Sequence, residues 1–153
     1  MTSDLMAGDF SRLSRDFRPD RADRVRVLLV DDEPDIVRAY QAALEDAGFA
    51  VSTARDGSAA LESVRRGRPD AVVVDLVMPS MTGWQFVEAV RTLPGGPCPV
   101  IAMTAAGPGA VRAARGSGQF TAVLEKPVQL DELISLIGLM IGSSVDTFRD
   151  GAN

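Results

Sequence analysis

The chain of 153 residues contains no histidine. That removes histidine-based triads, imidazole metal ligands and any phosphohistidine carried by the chain itself. A single cysteine, Cys98, stands between Pro97 and Pro99, so no intrachain disulfide can form. This fits a reducing compartment, and the residue reads as a small hydrophobe ahead of a strand. The longest strongly apolar stretch lies in LISLIGLMIG (133–142), well short of the roughly 20 residues that a membrane span needs. The N-terminus mixes Arg with Asp and has no apolar secretory core. These absences set the expectation of a cytoplasmic protein without membrane insertion. Net charge is −5, so there is no basic excess for nucleic acid, and none is expected as a partner. Lysine is nearly absent too: of 16 Lys and Arg residues only Lys126 is lysine. A compact ammonium kept alone among guanidinium groups suggests a site that needs one.

What is present is an apolar content of 46%, enough for one packed domain. From Val25 to about Gly142, short β-type runs alternate with segments of helical period. The strands are expected at Val25–Val30, Phe49–Ala54, Ala71–Leu76, Val100–Thr104 and Ala122–Glu125. Helices are expected from Pro34 to Gly48, Ser58–Arg66, Trp84–Thr92, a weak one at Ala110–Arg115, and Leu130–Ile141. Strict alternation with continuously apolar strands predicts an α/β fold, a doubly wound five-stranded parallel sheet with five helices. Residues 1–24 read as an N-terminal extension in which Met6, Phe10, Leu13 and Phe17 are spaced helically, as a fraying tail or a short amphipathic helix. Residues 143–153 read as a flexible tail.

The polar residues Asp31, Asp32, Asp75, Thr104 and Lys126 fall where strands one, three, four and five end. In a doubly wound sheet this is where ligands bind. Any one Asp alone would be read as a helix cap or turn former; five polar groups at one rim need a shared reason. Carboxylates 4 Å apart repel by roughly 4 kcal/mol at an effective dielectric of 20, which a divalent cation would offset. All-oxygen ligation favours Mg²⁺, with Mn²⁺ as an alternative. An Asp carboxylate can also attack phosphorus and form an acyl phosphate.

The acid pair in VLLVDDEPD, the DLVMPSMTG run (75–83), VIAMTA and LEKP resemble the receiver domain of bacterial two-component response regulators, over about Val25–Gly142. The resemblance implies a flavodoxin-like strand order of 2-1-3-4-5. It implies that Asp75 accepts a phosphoryl group from a sensor histidine kinase. Asp32 and Asp75 would bind Mg²⁺ directly, Asp31 largely through water, and the backbone carbonyl of Val77 would complete the protein ligands. Lys126 would pair with phosphoryl oxygens, Thr104 would hydrogen-bond them, and the Lys126–Pro127 bond would be cis. Such a protein is a phosphoacceptor switch with self-catalysed transfer and autodephosphorylation only, not an enzyme acting on external substrates.

One departure is Val123, where the family often carries a ring that swings inward on activation. No output domain is legible after Gly142, so the expectation is a single-domain regulator that binds an unknown downstream protein when phosphorylated. The alternatives are a phosphorelay intermediate feeding a histidine phosphotransfer protein, or a phosphorylation-independent scaffold. An Asp-nucleophile phosphatase would usually show a second Asp where Val77 stands. Gly107-x-Gly109 has Arg112 at its sixth position, against a dinucleotide fingerprint. On the last helix, Leu136, Leu139 and Met140 widen the apolar surface beyond the core stripe, so a dimer through this helix or the N-terminal extension could form.

Overall fold

A computed structural model describes residues 24–95 and 98–152, with side chains described up to Ile141. The expectations for residues 1–23 lie outside the described residues. Five parallel strands, β1 (Arg26–Val30), β2 (Ala50–Ala54), β3 (Ala71–Asp75), β4 (Val100–Thr104) and β5 (Ala122–Glu125), form one sheet in the order β2-β1-β3-β4-β5. Between and after them come helices α1 (Pro34–Asp46), α2 (Gly57–Arg66), α3 (Gly83–Arg91), α4 (Pro108–Ser117) and α5 (Leu130–Ala152).

Alternating strand residues feed two cores on opposite faces of the sheet, as the two-residue repeat of a strand requires. Val27, Leu29, Val73, Ile101, Met103 and Leu124 pack with Tyr40 and Leu44 of α1 and with Leu133 and Ile137 of α5. Leu28, Val30, Val72, Val74 and Val100 pack with Ala60 and Val64 of α2 and with Phe86, Val87 and Val90 of α3. Full burial of side chains of this size contributes about 1.5–3 kcal/mol each, which fixes the register of the central strands. Strands β3 and β4 are buried along their whole length, so their ends are held more firmly than any loop could be.

Local chemistry sets the helix starts. Pro34 and Pro108 occupy first-turn positions, where a missing N–H costs nothing. The Asp56 side chain caps α2 by accepting from Ala59 N, and Thr82 with Gln85 forms a reciprocal capping box on α3. Two sequence expectations are corrected. Helix α4 is longer than Ala110–Arg115, because Pro108 starts it and Gly118, at a φ of 71°, closes it in the left-handed region. Helix α5 runs past Gly142 to Ala152, replacing the expected flexible tail by helix. An interior glycine costs only about 1 kcal/mol, and no proline follows to stop the helix.

No helix among the described residues is long and apolar enough to cross a membrane. Cys98 is half-buried against the second core, and burial pushes its thiol up despite the opposing Arg68 charge, so it stays neutral. Trp84, in the first turn of α3, meets Phe120 edge-on with ring centroids 5.0 Å apart.

Candidate functional site

The carboxyl ends of β1, β3, β4 and β5 converge on one rim, and the expected polar residues meet there. Asp31, at the end of β1, is 1% exposed, Asp75 closes β3 at 6%, and Thr104 closes β4 at 0%. Asp32, next in the chain to Asp31, is exposed. Ligand oxygens of Asp31, Asp32 and Asp75 all lie within 4.8 Å of one another. Lys126 follows β5 and extends its ammonium to Asp75 Oδ2 at 2.8 Å and Asp31 Oδ2 at 2.9 Å. The Lys126–Pro127 peptide bond is cis.

One local device recurs at three strand ends. Asp31 Oδ1 accepts from the N–H of Glu33 at 3.0 Å, and Asp75 Oδ1 accepts from the N–H of Val77 at 3.0 Å. Thr104 Oγ1 accepts from the N–H of Ala106 at 3.1 Å. Each is a side chain bonded two residues ahead, which short polar side chains do readily. The bond holds one oxygen of each group to its own backbone, and the Lys126 N–H to Thr104 C=O bond of 2.8 Å ties β5's end to β4's. The carboxylates of Asp31 and Asp75 are therefore fixed in orientation before any ligand arrives.

Burial is the largest single influence on Lys126 and would lower its pKa. The hydrogen bonds and charges of Asp75 and Asp31 together outweigh it, and the net shift is upward, so Lys126 is charged at neutral pH. Glu33 adds a more distant carboxylate, 3.8 Å from the ammonium. The sequence reading missed Glu33, although its place directly after the acid pair was a usable signal.

The donor set fits a hard divalent cation. It consists of carboxylate oxygens alone, Asp32 is free of protein partners in the described bonding, and each oxygen used by Lys126 keeps a second lone pair. Beside it opens a cleft of about 410 Å³ lined by Asp31, Asp32, Pro34, Val37, Arg38 and Arg55, among others. The loop after β3 is held close. The N–H of Gly83 donates to Leu76 C=O at 3.0 Å, and a Cβ at Gly83 would lie 2.9 Å from both the Asp75 carbonyl oxygen and Leu76 Cα.

Comparison with known proteins gives the same class. A model of the response regulator receiver domain matches residues 27–138. The probable transcriptional regulatory protein TcrX of Mycobacterium tuberculosis is 35% identical over 129 residues, 84% of this chain and 55% of that protein. The transcriptional regulatory protein PrrA of the same organism is 35% identical over 116 residues, 76% of this chain and 49% of that protein. The chain thus spans about half the length of these curated relatives. Among solved structures, the chemotaxis protein CheY4 of Vibrio cholerae aligns with a TM-score of 0.69 and 33% identity, covering 76% of this chain and 98% of that one. The receiver domain of a Pseudomonas aeruginosa sensor histidine kinase, solved with magnesium in its active-site cleft, aligns with a TM-score of 0.72 and 29% identity. It covers 78% of this chain and 98% of the neighbour.

This chain belongs to the response regulator receiver domain family. It is a phosphoacceptor module of two-component signalling, in the flavodoxin-like fold that its sequence led one to expect.

Proposed function

We propose that Asp75 is the phosphoacceptor, taking a phosphoryl group from the phosphohistidine of a sensor kinase. The observation that carries this is the double pairing of the Lys126 ammonium with Asp31 and Asp75, inside a group of three carboxylates at the sheet's ligand-binding rim. In the transfer, an Asp75 carboxylate oxygen forms a bond to phosphorus while the P–N bond to the donor imidazole breaks, and its electron pair returns to the ring nitrogen. Asp31, Asp32 and Asp75, with the Val77 carbonyl, would hold Mg²⁺, or Mn²⁺ in its place. The bound cation supplies charge neutralisation for the phosphoryl oxygens.

The chain's own residues do the positioning. Lys126 follows the phosphoryl oxygens as they replace the bare carboxylate, keeping its bond to Asp31 as an anchor. The Thr104 hydroxyl accepts from Ala106 N and keeps its own hydrogen to donate to a phosphoryl oxygen. The exposed Val77 side chain stands beside the site, where it limits water access to the acyl phosphate. Hydrolysis of that bond returns inorganic phosphate and the carboxylate. Phosphorylation then changes the binding of a downstream protein from a cytoplasmic location. An unused acid cluster with two of its three members buried would carry an electrostatic cost, which disfavours a phosphorylation-independent scaffold.

The test is intact-mass spectrometry after incubation with acetyl phosphate and Mg²⁺. Wild type should gain one phosphoryl group and Asp75→Ala none. A gain on both proteins, or on neither, would remove Asp75 from this role.

A further inference from the structure

Strand β5 is one of the sheet's two edges, the other being β2, and beside β5 the surface is apolar. A groove of about 500 Å³ runs between α4, β5 and α5, with Phe120, Ala122, Leu124, Leu136 and Leu139 among its lining residues. Leu139 is 68% exposed, and Leu136 is half-buried. Arg115 and Glu132 stand on opposite rims, on α4 and α5. Uncovered aliphatic surface of this kind marks an interaction site. None of it belongs to the carboxylate rim.

We propose that the occupant is this chain's own N-terminal segment, seating Met6, Phe10, Leu13 and Phe17 in the groove. Their spacing puts four apolar side chains on one face of a helix, about 17 Å from first to last. Reach is sufficient. Strands β1 and β5 are three strand spacings apart, roughly 14 Å, and residues 18–23 can span up to about 20 Å. Entry is on the right side: Val25, just ahead of β1, and Ile141, beyond Leu139 on α5, both pack on the margin of the same core cluster.

Charge agrees as well. Asp9 and Asp16 each precede an aromatic of the stripe and would line one flank of it, and Arg115 offers a cation on the α4 rim. Only one Arg115 nitrogen is engaged in the described bonding, with Val123 C=O at 3.0 Å, so other donors are left for a carboxylate. A tethered segment also acts at an effective concentration in the millimolar range, ahead of a free partner or a second copy.

The experiment places the photo-crosslinker p-benzoylphenylalanine at position 139 of the full chain, followed by irradiation, denaturing gel and peptide mapping. The expected result is an adduct in the monomer band that maps to residues 1–23 and is lost when Phe10→Asp and Phe17→Asp are combined in the same chain. An adduct confined to a dimer band would assign the groove to a second copy and overturn the proposal. So would an adduct mapping elsewhere in the monomer, no adduct at all, or one that persists in the double variant. Unchanged far-UV circular dichroism of the double variant separates loss of docking from loss of fold.

Discussion

Lys126 and Asp75 meet at 2.8 Å although they come from the ends of strands that are not neighbours, with β4 between them. The same ammonium reaches Asp31 one strand position further on, so one cation ties three strands together at a rim otherwise full of negative charge. Lys126 and Asp31 are almost wholly buried, with side-chain exposures of 9% and 0%. Removing one partner of such a network leaves the other charges uncompensated. Lys126→Met should therefore destabilise the fold by about 3 kcal/mol, read from urea unfolding without added metal.

The pH dependence of that difference follows from the direction of the shift. The folded-state pKa of Lys126 is raised, so its stabilisation is fully present below the unfolded value of about 10.4 and is lost only as pH rises through the folded value. With no histidine to titrate nearby, the gap between wild type and Lys126→Met should stay constant from about pH 7 to pH 9. A gap that shrinks across this interval would mean the ammonium is losing its proton, contrary to the pairing seen.

Much of this site was legible before any coordinates, and the reason is physical. Strand ends in a doubly wound sheet project to one rim whatever the loops do, so residues placed by strand periodicity alone, such as Thr104 and Asp75, land correctly. Strands β4 and β5 match their expected bounds because Val100–Thr104 and Ala122–Glu125 are short apolar runs bounded by turn residues. Pairings that depend on side-chain reach were not legible. Nothing in the spacing showed that Asp31 would be the buried partner of Lys126, or that Glu33 would approach it. The bounds of α4 and α5 failed for a different reason: α4 starts earlier than expected, at Pro108, and the far end of each helix turned on whether a glycine ends it. Gly118 does so in the left-handed region, whereas Gly142 is simply passed through.

Divalent binding should be visible as stabilisation. A cation that binds only the folded chain at about tenfold above its Kd adds about 1.4 kcal/mol, or roughly 4 °C in Tm for a domain of this size. Mg²⁺ should raise the wild-type Tm accordingly. Asp32→Asn should abolish the rise while leaving the metal-free Tm close to wild type, because Asp32 is exposed and carries no structural bond in the described set. A full Mg²⁺ shift retained in Asp32→Asn would place the cation elsewhere on the surface.

Gly83 sets how closely α3 approaches the end of β3. A Cβ there would press on the Asp75 carbonyl oxygen and Leu76 Cα at 2.9 Å each, and backbone atoms cannot swing aside as a side-chain tip can. Gly83→Ala should therefore cost about 1–3 kcal/mol through forced backbone movement. It should also slow phosphorylation by acetyl phosphate, because the moved residues include Asp75, the proposed acceptor. Wild-type stability together with a wild-type rate would show that the loop yields without strain.

Ser80 is the opposite case, a side chain where glycine would be easier. Its φ is 72°, and the Met81 N–H donates to Pro79 C=O at 2.7 Å across it, the pattern of a γ-turn with a strained centre. Strain of this kind costs about 1–3 kcal/mol, and glycine would remove it while giving back part of the gain, about 0.5–1 kcal/mol, as unfolded-state entropy. Ser80 is exposed, so a substitution there meets no core packing. The expected order of stability in urea unfolding is Ser80→Gly above wild type by about 1 kcal/mol and Ser80→Val below it, since a β-branched residue tolerates positive φ worst. Phosphorylation should survive in both, because Ser80 contributes no atom to the carboxylate rim. A valine variant as stable as wild type would show that the turn relaxes to negative φ, and the loop after Asp75 would then be freer than its hydrogen bonds indicate.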